Sequence, residues 1–224
     1  MRNIRMVVTV LVISFIPLFS YAETKWDNLL RESAKVFDDM ANMPDTGIPS
    51  SLLEDCYAVA IFPSTINGGF IIGGQYGQGV IVARDKKTDN WSAPAVFNIF
   101  GGSFGWQIGG QAADIILLIM SERGLDGIMQ SKLKLGGDIA VSAGPIGRDT
   151  QASIDLQLKG GILSYSRSRG LFAGIKIEGA AIAFNDSANK SLYGKSSSAR
   201  DILIKQTVKP TKSADRLLKE LKNY

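Results

Sequence analysis

The chemistry this chain could perform is limited first by what it lacks. Its 224 residues include no histidine and a single cysteine, Cys56. Without an imidazole there is no Ser-His-Asp or Cys-His relay and no histidine-containing metal centre, and one thiol cannot build a thiolate site. The carboxylate of most interest is Asp114, which heads the apolar run Ile115 to Met120. A catalytic acid needs a partner, and no motif spacing ties Asp126 or Asp138 to it. The structural alternative is a strand-end carboxylate that accepts backbone N–H bonds.

The remaining candidates are cations. Arg148, Arg167, Arg169 and Lys176 fall at or near predicted turns and edges of an alternating β-region. Charged side chains there blunt sheet edges against aggregation. The sharper reading gathers them, with Lys132 and Lys134, into a cationic rim for an anionic ligand.

Other binding chemistries fail on spacing. Gly194-Lys195-Ser196 lacks the glycine that a phosphate loop requires five positions earlier, where Asn189 stands. No Gly-x-Gly-x-x-Gly joins a strand to a helix with an acid about 20 residues on, which removes the dinucleotide fingerprint. Asp85 to Asn90 comes nearest to a Ca²⁺ loop, but its two lysines mark a solvated hairpin turn. No cofactor and no metal is therefore expected, and no enzymatic activity.

Composition fixes the setting. With 45% hydrophobic and 21% charged residues the chain is ordinary globular material, of a size for one domain. Residues 1–22 read as a signal peptide: Arg2 and Arg5, then an apolar stretch from Met6 to Phe19, then Ser20-Tyr21-Ala22. The apolar stretch is short and broken by Pro17, whereas a spanning helix needs about 20 apolar residues. Cleavage near Ala22 predicts a periplasmic or secreted protein, soluble and comprising residues 23–224. Without Arg2 and Arg5 the net charge falls from +4 to +2, too little for a nucleic-acid partner. Cys56 lies before an apolar run and reads as a small buried hydrophobe.

The elements that must position these groups follow from periodicity. Lys25 to Met43 is an amphipathic helix with Trp26, Leu29, Leu30, Phe37 and Met40 on one side, expected to pack on the domain. A short helix to Asp55 follows, with serine at its cap. Strands are expected at Tyr57 to Phe62, Gly69 to Tyr76, Val80 to Arg84 and through Trp91 to Phe100. Asn67-Gly68 and Gly77-Gln78-Gly79 are placed as tight turns. Ser121 should cap a short helix. Residues 132–143, 151–159, 163–167 and 171–177 read as a four-strand antiparallel meander, the first two with strict period-two alternation. The stretch from Asn185 to Gly194 reads as a loop, followed by helices at 198–207 and 211–221. The basic tail from Lys209 to Lys222 is a candidate for electrostatic membrane contact, against a solvated terminal helix. The fold class is α+β: a single domain with an extensive antiparallel sheet that can curl toward a barrel, and helices at both termini.

A set of ordered motifs carries a family resemblance. Gly102-Ser103-Phe104-Gly105-Trp106-Gln107-Ile108-Gly109, Leu135-Gly136-Gly137-Asp138, Gly144-Pro145-Ile146-Gly147-Arg148, Tyr165-Ser166-Arg167-Ser168-Arg169-Gly170-Leu171-Phe172-Ala173-Gly174, Glu178-Gly179 and Tyr193-Gly194 together resemble the SYLF domain family, most specifically over residues 102–194. Ala60-Ile61-Phe62-Pro63, Gly73-Gly74-Gln75-Tyr76-Gly77 and Trp91-Ser92-Ala93-Pro94 fit the same family. The resemblance implies a non-enzymatic lipid-binding module, with some eukaryotic members binding phosphoinositides or actin filaments. For an exported chain the expected partner is an anionic phospholipid or membrane surface of the cell envelope, contacted through Arg148, Arg167, Arg169 and Lys176. The alternative is an envelope protein partner, in an interaction or structural module without a lipid ligand.

Overall fold

The apolar run at residues 58–62 is buried on both faces, since Ala58, Val59, Ala60, Ile61 and Phe62 expose essentially nothing. Such a strand has to lie centrally, and it does. The computed structural model describes residues 24–44, 46–68, 74–101, 111–147, 161–168, 170–177 and 179–224. Among them ten strands form one sheet: β1 (Ala58–Gly68), β2 (Gly74–Asp85), β3 (Asn90–Trp91), β4 (Ala95–Gly101), β5 (Gln111–Ile119), β6 (Leu133–Lys134), β7 (Ala140–Ala143), β8 (Gly161–Ser168), β9 (Leu171–Gly174) and β10 (Ala180–Phe184). The order is β6-β10-β4-β2-β1-β5-β8-β7, with β3 on β2 and β9 on β8.

Consecutive strands β6 and β7 occupy opposite ends of that order, yet only residues 135–139 connect them. Leu135 bridges directly to Ile139, with Gly136 in the left-handed region at φ 81°. The sheet must therefore curl until its edges approach, giving a half-barrel. One cluster gathers Leu133, Leu135, Ile139 and Val141 from both edges with Phe62, Phe97, Ile115 and Leu117 from the middle, so it fills the inside of the curl. Helices α3 (Glu122–Ile128) and α5 (Ala199–Leu203) contribute Leu125, Ile128, Ile202 and Leu203 to it.

The outer face is covered by α1 (Lys25–Ala41), α2 (Ser50–Asp55), α4 (Asp186–Tyr193) and α6 (Asp215–Leu221), the last preceded by a 3-10 turn at Lys212–Ala214. Leu30, Phe37 and Met40 of α1 are fully buried against Val80, Val82, Val96 and Leu118. Each such side chain contributes roughly 1.5–3 kcal/mol by leaving water. The acids of α1 bind it to the body: Asp38 pairs with Arg216 at 3.1 Å, and Asp27 accepts from Ser213 at 2.6 Å. The amphipathic helix thus packs on the domain as its sequence predicts. The basic tail, expected as a membrane contact or a solvated helix, instead packs on the domain, with Leu217 and Leu221 buried against α1.

Several expectations are corrected. Gly77-Gln78-Gly79 is not a turn but the middle of β2, and Asn67-Gly68 closes β1 by pairing with Gln75 and Gly74. The glycines serve close approach: a Cβ on Gly79 would stand 2.2 Å from the Ile61 carbonyl oxygen and one on Gly77 2.5 Å from Thr65 Oγ1. The meander is not antiparallel throughout, because β7 runs parallel to β8. The alternating stretch from 132 to 143 is split at the Gly136 turn, and its predicted partner at 151–159 lies outside the described residues. The stretch 186–193 is a helix, α4, capped by the Asn185 side chain on Ala188 N–H. Pro49, not serine, sits at the N-cap of α2. Ser121 caps α3 as its position predicts, accepting from Gly124 N–H.

Candidate functional site

Asp114 and Arg167 are register partners on β5 and β8, facing outward just beyond the helix-covered core. Arg167 donates from Nη2 and Nε to Asp114 Oδ2, at 2.7 and 3.1 Å, and from Nη1 to Asp39 Oδ2 on α1 at 2.9 Å. The other Asp114 oxygen accepts the Ser64 N–H at 3.0 Å, with Ser64 held left-handed at φ 49°. Burial works against the guanidinium charge, but the hydrogen bonds to Asp114 and Asp39 outweigh it and hold Arg167 above its ordinary pKa. A cleft of about 360 Å³ opens here, lined by Ser64, Ala112, Asp114, Arg167 and Gly170. Asp114 is its one carboxylate among these residues, and it is neutralised by an arginine. The strand-end carboxylate accepting a backbone N–H is the arrangement found, with the cation added.

The motif around Tyr165 is a lock between β7, β8 and β9. Tyr165 is fully buried, its ring stacked on Phe172 at 5.7 Å between centroids and its hydroxyl donating to the Pro145 carbonyl at 3.1 Å. Burial pushes the phenol pKa up, so the hydroxyl stays a donor. The ring lies against Gly144, where a Cβ would come within 2.1 Å of it. Ser164 donates to the carbonyls of Ile175 and Ser142. Gly144, Pro145, Tyr165 and Phe172, which contribute much to the resemblance, are therefore architectural.

The outer face of the sheet is layered along its strands. Val80, Val82, Val96, Ile116 and Leu118 are buried under the helices. One step toward the strand ends comes a polar level: Gln78 bonds Asn98 at 3.3 Å, and Asp114 pairs with Arg167. One step further the side chains are apolar again and face solvent, with Ile66 and Tyr76 directly paired and 61% and 52% exposed. Leu171, 70% exposed, lies at the same end, paired with Ser168, whose hydroxyl donates to the Ala112 carbonyl. Of the five large hydrophobics exposed among the described residues, three are thus at this end of the sheet, the others being Ile146 and Ile204. Behind them Gln75, 4% exposed, has no hydrogen-bond partner among the described residues for either side-chain amide atom.

Of the predicted cations, Arg167 is brought to this end and engaged by two carboxylates. Lys176 is exposed on the segment between β9 and β10 and has interactions of its own. Arg148 and Arg169 lie outside the described residues. Sequence reasoning missed Ile66 and Tyr76 as surface residues, because neither stands out as one until register places them side by side. Among the described residues no cluster of three potential metal ligands occurs, and no helix is long and apolar enough to cross a membrane. Cys56 is buried, with its thiol pushed up to about 12.

Comparison with known proteins gives the family. Residues 100–224 match the family model "Ysc84: Las17-binding protein actin regulator". The human SH3 domain-containing YSC84-like protein 1 is 31% identical over 188 residues, covering 84% of this chain and 54% of the human protein. Protein YSC84 of Saccharomyces cerevisiae is 35% identical over 182 residues, 80% of this chain and 38% of the yeast protein. LAS seventeen-binding protein 3 of the same species is 33% identical, over 80% of this chain and 39% of its own length. The chain spans about half the length, or less, of these relatives. With a family model matched over more than half its length, and relatives more than 30% identical over 80% or more of it, this chain belongs to the Ysc84, or SYLF, family.

Proposed function

We propose that this chain is a non-enzymatic membrane-surface module of the cell envelope that binds anionic phospholipid. The observation that carries the reading is the apolar end of the sheet, where Ile66, Tyr76 and Leu171 stand in solvent beyond a hydrogen-bonded polar level. Apolar side chains grouped at one end of an otherwise well-packed domain mark an interaction surface. The β8–β9 hairpin at this end carries Arg167, and Lys176 lies on the segment that follows β9. In this reading Arg148, Arg169 and Lys176 contact lipid phosphate, while Arg167 fixes the hairpin to β5 and α1. The cleft at Asp114 is open to solvent, which favours lipid met at the surface. An exported form beginning near residue 23 would present this end to an envelope leaflet.

A second reading takes support from the relatives, one of them named as a LAS seventeen-binding protein. There the same end would hold a protein segment. Vesicle co-sedimentation separates the two. The lipid reading expects the protein to pellet with anionic vesicles, less so at high salt, and to stay in solution with neutral ones. No pelleting at any salt concentration, with a stable protein partner recovered in pull-down, would overturn it.

A further inference from the structure

The exposed pair Ile66–Tyr76 belongs to a longer row. Register partners on adjacent antiparallel strands share a face, and the pairings run Lys134↔Ala181, Ala181↔Phe100, Phe100↔Tyr76, Tyr76↔Ile66 and Ile66↔Ala112. One line of side chains thus crosses six strands, from the sheet edge at β6 to β5. At about 4.8 Å per strand it is roughly 24 Å long. It begins with a cation, passes through two aromatics and an isoleucine, and contains no acid. Lys132, on the same side of β6 as Lys134, places its Nζ 4.8 Å from the centre of the Phe100 ring. Leu133 between them points into the core, which sends both lysines outward.

We infer that this six-strand row is the surface that seats on the membrane, with Phe100, Tyr76 and Ile66 at the depth of the headgroups and Lys132 and Lys134 against lipid phosphate. The inference rests on the lipid reading above and deepens it by naming the face and a second phosphate contact. Aromatic side chains with an apolar body and a polar tip settle at that depth, as Tyr76 would. Lysine stems run along apolar surface while their ammonium groups reach the phosphates. The charge order of the described residues fits an anionic leaflet: lysines stand at the β6 end, and an uncharged apolar row runs from there to β5. Among the described residues, two acids lie near the row, and each has a hydrogen-bond partner. Asp114 is paired with Arg167, and Asp138 accepts the Lys134 backbone N–H at 2.7 Å. The free energy of leaving Ile66 and Tyr76 in water is recovered on docking, since burial of apolar area is favourable whatever covers it.

The test uses Ile66→Cys carrying an environment-sensitive fluorophore. Cys56 is buried and protonated, so the label goes to position 66. With vesicles of phosphatidylglycerol in phosphatidylcholine, emission should shift to the blue and gain intensity, while neutral vesicles leave it unchanged. Lys132→Gln and Lys134→Gln should each weaken vesicle binding about fivefold, and together by at least about tenfold, as expected for cations close to an anionic surface. Lys219→Gln on α6 serves as the control and should leave affinity unaltered. If the wild-type protein binds anionic vesicles but the label does not shift and both lysine variants bind normally, the row is not the docking face and the lipid reading survives. If the wild-type protein binds no vesicle, both fail.

Discussion

Arg167 and Asp114 face one another across the β5–β8 ladder with 2.7 Å between Nη2 and Oδ2, and the same guanidinium reaches Asp39 on α1. One side chain therefore ties two strands to the N-terminal helix. Arg167→Met strands two carboxylates whose side chains are 18% and 36% exposed. We expect a loss of about 2 kcal/mol in urea unfolding, the scale of charge-assisted hydrogen bonds. In Arg167→Met with Asp114→Leu part of that loss should return, because the more buried of the two unpaired charges is gone. If Arg167→Met unfolds at the wild-type midpoint, the clamp is not structural.

Gly144 tests the motif lock. A methyl group there would meet the Tyr165 ring at 2.1 Å, so Gly144→Ala should destabilise by about 1–3 kcal/mol through overpacking. Tyr165→Phe keeps the stack on Phe172 but orphans the Pro145 carbonyl, at a cost of about 1 kcal/mol. Thermal melts of both variants check the order. A Gly144→Ala protein as stable as wild type would contradict the packing described.

The capping box of α5 gives a pH prediction. Hydrogen bonds from Ser198 and Lys205 hold Asp201 at about 2, below its ordinary 3.8. The folded state thus binds fewer protons at this site than the unfolded chain. Its contribution is present above about pH 4 and is lost as pH falls toward 2. Asp201→Asn should lower the unfolding midpoint at pH 7, and the gap from wild type should close by pH 2. A gap constant from pH 7 to 2 would exclude this carboxylate as its source.

Gln75 carries a buried amide with no partner among the described residues, and an unsatisfied amide costs about 1–3 kcal/mol. Gln75→Met should therefore raise stability by about 1 kcal/mol in urea unfolding. Destabilisation instead would show that the amide is satisfied in solution.

Much of the frame was legible because it rests on local pattern. The amphipathic periodicity of Leu29, Leu30, Phe37 and Met40 defined α1 and its buried face, and Ser121 announced α3. The glycines misled, since Gly77 and Gly79 look like turn residues from sequence while their role is to let β1 and β2 approach. That depends on which strand lies opposite, which is non-local information. The parallel β7–β8 pair was hidden for the same reason. The site was legible as residue types only. Arg167 stood out as a cation, but its engagement by Asp39, 128 positions away in the chain, could not be read from spacing. Ile66 drew no notice and Tyr76 only as part of a strand and a motif, because a single apolar residue near a glycine says nothing of a surface until register places it in a row.

Hydrogen exchange with and without anionic vesicles tests most directly whether the apolar end of the sheet is the docking surface. We predict added protection at the strand ends around residues 66–68, 74–76, 100–101, 111–112 and 168–171, with α4, α5 and α6 unchanged. Protection confined to α1 and α6, or no change at all in protein that co-sediments with the vesicles, would contradict it.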